Sequence, residues 1–399
     1  MQLTTMRKID SLIGRPVCFF CTLFHKLVSL VKKPSDPASK PVKKILLIKL
    51  SEMGALVLTF PLLTYLKEKY PDASISFLVF EKNASAIKLL KGTIDDKNIF
   101  SIKDESLIAL LLSTLGTITK IRKENFDIAI DLEFFSRFTS LLIYFSGATK
   151  KAGFYRFHFE GLYRGDLLTH KIQYNPLIHC SRSYLSLAKT LALPYIDNPP
   201  IPEQISEKEM VFPHFDPVAE DIEAIRARLL ALKAPFKHIY LINPGDGILP
   251  LREWPLENFI KISKRILQNE ENMIIIIGKD NINDKDTQLH SALNSPRCIN
   301  LVNKTSMKEL LALFHISQVM ITNDCGLPHL ASLTPLKKLV IFGPESPSIF
   351  APVGKNTHII YSNYPCSPCL SALNHRDSSC QDNQCVKIIT VDQVYNLIT

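Results

Sequence analysis

From residue 44 onward the chain alternates short apolar runs with longer amphipathic stretches. Residues 44–50 read as a buried strand, 51–54 as a loop, and 55–70 as a helix that Pro71 stops. A strand is predicted at 74–79, a helix at 114–124, and a strand ending in an acid at 126–131. A proline-rich stretch, 198–217, separates this block from a second one. There a helix at 218–232 leads to a strand at 238–242, a helix at 256–268, and strands at 273–277 and 298–300. A helix at 307–314 precedes the apolar run 319–321, the turn Thr322-Asn323-Asp324-Cys325-Gly326, a helix-like segment, and a last apolar run at 338–342 closed by Gly343-Pro344. Strands alternating with helices specify an α/β fold with parallel, doubly wound sheets. At 399 residues the chain exceeds one ordinary core, so two domains are expected.

The segment 319–344 carries the most chemistry. In parallel sheets, ligands bind where strands end and helices begin. Free backbone N–H groups and the helix dipole suit that junction to phosphate. Asp324 would stand at the strand end, Gly326 would let a ligand approach the backbone, and His329 would lie one turn into the helix. An aspartate N-cap followed by a glycine turn is the plain alternative.

Charge alters the picture at one end only. The net charge is +9, and the first 44 residues hold nine basic and two acidic side chains, seven of the nine net charges. The rest is nearly neutral, which argues against nucleic-acid binding and favours attraction of the N-terminal arm to anionic lipid. Within residues 12–31, Arg15, His25 and Lys26 make a poor transmembrane span. A helix should start near Arg15, with Pro16 in its first turn. At 100° per residue, Arg15, Thr22, Lys26, Ser29 and Lys33 form one stripe, while Phe19, Phe20, Leu23, Phe24, Leu27 and Leu30 fall elsewhere. The expectation is an amphipathic helix in the membrane interface. A membrane-crossing anchor and a helix packed on the protein body are the alternatives; a signal peptide lacks its cleavage site. Residues 32–41, rich in proline, serine and lysine, read as a linker.

Four blocks in order resemble the ADP-heptose:lipopolysaccharide heptosyltransferase family, glycosyltransferase family 9. They are KKILLIKLSEMGALVLTFPLLTYLKEKYP (43–71), INPGDGILPLREWPLENF (242–259), MIIIIGKD (273–280), and the Asp324-Cys325-Gly326…His329 segment. The resemblance implies a GT-B fold, with two facing Rossmann-like domains and the active site in their cleft. It also implies inverting transfer from an ADP-sugar to a glycolipid. On this reading 1–41 is the arm and linker, 42–200 the acceptor domain, 201–235 a connection, and 236–399 the nucleotide-sugar domain with a cysteine-rich tail.

Such transfer needs a base for the acceptor hydroxyl and positive or N–H groups for the leaving diphosphate. The family commonly places Asp directly after the glycine of its first loop; here that position is Ala55. Glu52, three residues earlier, is the candidate base, with a first-turn charge as its plain alternative. Asp131 is the second candidate, as a strand-end acid, with a helix cap as its alternative. By the resemblance, Arg252 before Trp254-Pro255 binds the diphosphate, against a surface ion pair with Glu253 or Glu257. The resemblance also implies that Asp324, Cys325, Gly326 and His329 bind the ADP-sugar, Cys325 replacing the usual Ser or Thr, with a satisfied half-buried histidine as the alternative for His329; Asn243 and Gly245 belong to a glycine-containing loop after a strand, suited to close backbone approach to the donor. Trp254 is expected in the core.

Nine cysteines include Cys366-x2-Cys369-x10-Cys380-x4-Cys385. That spacing admits a structural zinc, with free packed thiols as the alternative; no cofactor is expected for catalysis. The expected enzyme is a heptosyltransferase on the cytoplasmic face of a bacterial inner membrane. A nucleotide-sugar epimerase of the same fold and a non-catalytic sugar-nucleotide binder are its rivals.

Overall fold

The structure is a computed structural model, and it describes residues 3–31, 41–87, 94–158, 160–193, 204–231, 236–245, 249–279 and 284–398. Lys33, the linker residues 32–40, and Asp246, Gly247 and Asp280 of the loops quoted above lie outside them. The chain divides into two compact units, Met1–Val211 and Phe212–Thr399.

The first unit runs α1 (Leu3–Leu12), α2 (Gly14–Val31), β1 (Lys44–Ile48), α3 (Met53–Val57), α4 (Phe60–Lys69), β2 (Ser74–Phe80) and α5 (Ala84–Ile87). It continues with β3 (Ile99–Ile102), α6 (Leu107–Glu124), β4 (Ile128–Asp131), α7 (Arg137–Phe145), β5 (Lys150–Tyr155), β6 (His170–Gln173) and α8 (Cys180–Thr190). Among the described residues its sheet has the order β3-β2-β1-β4-β5-β6, and the pairings are parallel. Ile45, Leu46, Leu47 and Ile48 are all buried, which is why β1 reads as an unbroken apolar run rather than an alternation. The chain winds outward from β1 to β3, crosses back, and winds the other way from β4 to β6. Right-handed crossovers therefore put α6 and α7 on one face of the sheet and α4 on the other. Ile48 pairs with Asp131, so the carboxyl ends of β1 and β4 are level.

The predicted helix at 55–70 is two helices. Pro61, near the start of α4, cannot donate to the preceding turn and ends α3 there. Thr59 Oγ1 donates to the Leu56 carbonyl across the break at 2.7 Å. The helix predicted from residue 114 starts at Leu107 instead, N-capped by Ser106. Its first turns, Leu107-Ile108-Ala109-Leu110-Leu111-Leu112, are apolar all round and hide the helical period.

The N-terminal helices are not a detached arm. They pack on α7, and Asp10 pairs with the buried Arg137 at 3.1 Å. Cys18 is fully buried, and Thr22 Oγ1 accepts from the Asp166 N–H at 2.8 Å. Two glycines permit this seat. A Cβ on Gly14 would meet the Arg137 side chain at 2.7 Å. Gly165, at φ 78°, would put a Cβ 2.9 Å from Thr22 Oγ1 and 3.0 Å from the Cys18 carbonyl. Thr22 and Lys26, expected on a headgroup-facing stripe, turn toward the protein, and Lys26 pairs with Asp166 at 3.4 Å. Phe19, Phe20, Leu23, Phe24, Leu27 and Leu30 are exposed. Among the described residues, one helix, Thr5–Leu30, is long and apolar enough to cross a membrane by length and composition.

The second unit runs α9 (Ala219–Leu230), β7 (His238–Asn243), α10 (Leu256–Ile266), β8 (Asn272–Ile276), α11 (Lys285–Leu293), β9 (Cys298–Asn300) and α12 (Met307–Ile316). It continues with β10 (Val319–Asn323), α13 (Leu327–Ala331), β11 (Lys337–Phe342), α14 (Pro347–Phe350), β12 (Thr357–Tyr361), α15 (Gln384–Lys387) and α16 (Val391–Tyr395). Its parallel sheet has the order β12-β11-β10-β7-β8-β9 among the described residues. The winding reverses between β7 and β10, where Asn243 pairs with Thr322. Trp254, Phe259, Ile262, Ile274 and Val386 share one core. Trp254 lies edge-on to Phe259 and donates Nε1–H to the Ile389 carbonyl at 2.8 Å, so it is a core residue tying α10 to the tail.

Candidate active site

Each sheet has one place where the strand order reverses, and in open α/β sheets the crevice at the carboxyl ends of those strands is the usual ligand site. The candidate residues fall at these two places.

In the second unit, the loops after β7 and β10 are locked together by buried asparagines. Asn323 accepts from the Trp254 N–H at 2.9 Å and donates Nδ2–H to the Pro244 carbonyl at 3.0 Å. Asn243 donates Nδ2–H to Thr322 Oγ1 and to Cys325 Sγ, each at 3.1 Å. A Cβ on Gly278, at the end of β8, would press on Asn243 Oδ1 at 3.2 Å. These contacts hold a short 3₁₀ turn, Pro250–Arg252, that brings Arg252 across to Asp324. Arg252 Nη1 and Asp324 Oδ2 are 3.2 Å apart, and both residues are buried. Arg252 is thus buried on Asp324 rather than lying at the surface, and Glu253 pairs with Lys285. A buried guanidinium keeps its charge, and the Asp324 carboxylate offsets it.

Burial pushes the Cys325 thiol up to about 11, with Asp324 adding to the rise, so it stays protonated. Its sulfur accepts from Asn243 and lies 3.5 Å from Thr322 Oγ1. Gly326 has helical geometry and begins α13 at φ −72°, a conformation any residue adopts. His329 is buried on α13. Gly245 follows Pro244, whose carbonyl Asn323 holds.

In the first unit, Glu52 sits between β1 and α3 at φ 68°, ψ 97°. For a residue with a Cβ this is strained backbone, of the kind that gathers at functional sites. Glu52 is partly exposed. The same loop is braced by Glu133, which the sequence reading missed. Glu133 accepts from Lys49 Nζ at 2.9 Å, from the Ser51 N–H at 3.0 Å and from Ser51 Oγ at 3.2 Å. It thus ties the loop after β4 to the loop after β1 across the reversal. Its one sequence signal was an acid two residues past a strand end.

Asp131 has a different job from the one expected of a base. It is fully buried and paired with the equally buried Arg164. It accepts from Thr139 Oγ1 at 2.8 Å and from the Glu133 N–H at 3.1 Å. Burial pushes its carboxyl up, against the opposing pull of Arg164 and these hydrogen bonds. Sealed in this way, the carboxylate holds β4 to α7 and to the loop carrying Arg164, and it cannot reach an acceptor hydroxyl.

The four tail cysteines are free. Burial raises the Cys385 thiol to about 11, and Cys369, Cys366 and Cys380 are near enough to add to the rise. Even so, no group of three or more His, Cys, Asp or Glu among the described residues is arranged to hold a metal ion. Zinc coordination does not fit these positions as they stand, and ordinary contacts hold the tail. Asn383 Nδ2–H donates to the Leu251 and Glu253 carbonyls at 3.1 and 3.0 Å, and the Cys369 and Leu370 N–H groups donate to the Pro344 carbonyl. Arg376 pairs with the buried Glu345 at 3.2 Å.

Two doubly wound parallel sheets in one chain are the architecture of the GT-B fold. Residues 115–378 match the model of glycosyltransferase family 9 (heptosyltransferase), and the chain belongs to that family as a glycosyltransferase. It is 27% identical over 325 residues to lipooligosaccharide heptosyltransferase 2 of Haemophilus ducreyi, covering 79% of this chain and 88% of that one. The fold is shared with Escherichia coli ADP-heptose lipopolysaccharide heptosyltransferase II, at a TM-score of 0.67 and 18% identity over 89% of this chain and 98% of that one. It is shared also with E. coli heptosyltransferase WaaC with ADP, at a TM-score of 0.60, 14% identity and the same coverage.

Proposed function

We propose that the enzyme transfers a heptose, or a closely related sugar, from an ADP-sugar to a lipopolysaccharide-type glycolipid, with inversion at the anomeric carbon. The observation that carries this reading is the buried Arg252–Asp324 pair at the reversal of the second sheet. In the proposed reaction Arg252 stabilises the diphosphate as it leaves, and a guanidinium fork suits that group. Asp324 orients Arg252 and accepts from ligand hydroxyls, and Asn243, Gly245, Cys325, Gly326 and His329 shape the pocket around the donor. Glu52 takes the proton of the attacking hydroxyl, in the place of the acid that Ala55 lacks. Glu133 holds the Glu52 loop in position through Ser51 and Lys49. The reaction needs no metal. The N-terminal helix meets the cytoplasmic face of the inner membrane, where a lipid-linked acceptor would be found.

Calorimetry with ADP, UDP and GDP tests the donor assignment. ADP should bind most tightly, and Arg252→Lys should weaken it about tenfold or more, because an ammonium replaces a two-pronged donor. Equal affinity of the variant for ADP would remove Arg252 from the diphosphate site.

A further inference from the structure

Helix α6 is apolar on two sides. Leu110, Ile118 and Ile121 pack on the core of the first unit. Leu107, Ile108, Leu111, Leu112 and Leu115 are exposed, Ile108 by 72% and Leu112 by 66%. Positions 108, 111, 112 and 115 form one stripe at helical spacing. A water-facing stripe on a surface helix is ordinarily polar, and a contiguous apolar one marks a contact surface.

This stripe belongs to the same layer as the N-terminal helices. Right-handed crossovers place α6 and α7 on one face of the sheet, and α1 and α2 pack on α7. Met6 and Leu110 pack on the same core cluster. Arg122 of α6 donates to the Phe145 carbonyl at the end of α7, and Phe145 is itself exposed. Across the layer, α2 contributes the exposed Phe20, Leu23, Phe24 and Leu27.

We infer that α6 is a second bilayer-inserting element, so that the membrane-docking face is built from two segments more than 70 residues apart in the chain. This rests on the reading that the N-terminal helix meets the membrane. Charge selects lipid as the occupant. Lys8, Arg15, Lys120, Arg122 and Lys123 are basic and exposed on these same helices, with Arg7 beside Lys8 on α1. The acids on the same helices are engaged: Asp10 with Arg137, and Glu124 with Lys44. Anionic headgroups complement this pattern. A second copy docked by a two-fold axis would set the same positive charges against themselves.

Full-length protein and vesicles of phosphatidylethanolamine with phosphatidylglycerol test the inference. Replacing Ile108, Leu111 and Leu112 together by serine should weaken vesicle binding at least tenfold without lowering the melting temperature, because the three side chains are exposed. Leu112→Trp should be quenched by lipids brominated in the acyl chains, whereas the buried native Trp254 should not. Phe20→Ser with Phe24→Ser probes the N-terminal helix separately. If only that pair weakens binding and Leu112→Trp stays unquenched, α6 does not insert, though the N-terminal reading survives. If neither set matters, both readings fail. A dimer that the α6 triple variant dissociates, with vesicle binding unchanged, would assign the face to a second copy and overturn the inference.

Discussion

Glu52 and Asp131 are both acids beside the carboxyl ends of β1 and β4, yet their surroundings are opposite. Glu52 is partly exposed on strained backbone; Asp131 is sealed against Arg164 and Thr139. Glu52→Gln should lower kcat about 10²–10⁴-fold with little change in donor affinity, which steady-state kinetics and calorimetry together can read. Turnover close to the unmodified enzyme would transfer the role elsewhere, first to Glu133. Asp131→Asn should instead cost about 3–5 kcal/mol of stability, because it leaves the Arg164 charge buried without its counterion. Thermal denaturation would show that loss, and an unchanged melting temperature would contradict it. Both acids stand out in the sequence, as does Arg252 before Trp254. Burial does not, so the sequence could not separate the accessible acid from the enclosed one. Nor could it show Glu133 reaching Ser51 and Lys49 across 82 and 84 residues of chain.

At the scale of elements, the strands were the most legible. β1, β7, β8, β10 and β11 are unbroken apolar runs because both faces of a parallel sheet are covered. Helices were less so wherever the period was masked: α6 by its run of leucines, and the α3–α4 pair by a break at Leu58-Thr59. The seat of α2 was illegible, since it depends on Gly165 and Arg137, more than 100 residues away. Gly165→Ala puts a Cβ 2.9 Å from Thr22 Oγ1 at a φ of 78°. It should lower the melting temperature of the first unit by an amount corresponding to about 1–3 kcal/mol, and loosen α2. Faster amide hydrogen exchange confined to α1 and α2 would register that loosening. Exchange identical to the unmodified protein would mean that the helix is held without the close approach at Gly165.

The molecule as a whole repeats one design, a parallel sheet whose order reverses once and whose polar residues gather at the reversal. That repetition was legible in the sequence because two βα blocks flank the proline-rich stretch 198–217. The concentration of seven of the nine net positive charges in the first 44 residues was equally plain. What charge counting could not give was the orientation of the N-terminal helices, whose polar side chains Asp10, Thr22 and Lys26 face the protein and whose aromatics face out. The central claim, sugar transfer from an ADP-sugar to a glycolipid, is tested most directly by one incubation. Full-length protein is mixed with ADP-heptose and a lipopolysaccharide-type acceptor that lacks its heptose, and the glycolipid is weighed by mass spectrometry. The acceptor should gain the mass of one heptosyl residue, with one ADP released per transfer and no donor consumed when acceptor is omitted. Conversion of the nucleotide sugar without any acceptor, or tight donor binding with no turnover on any acceptor, would contradict it.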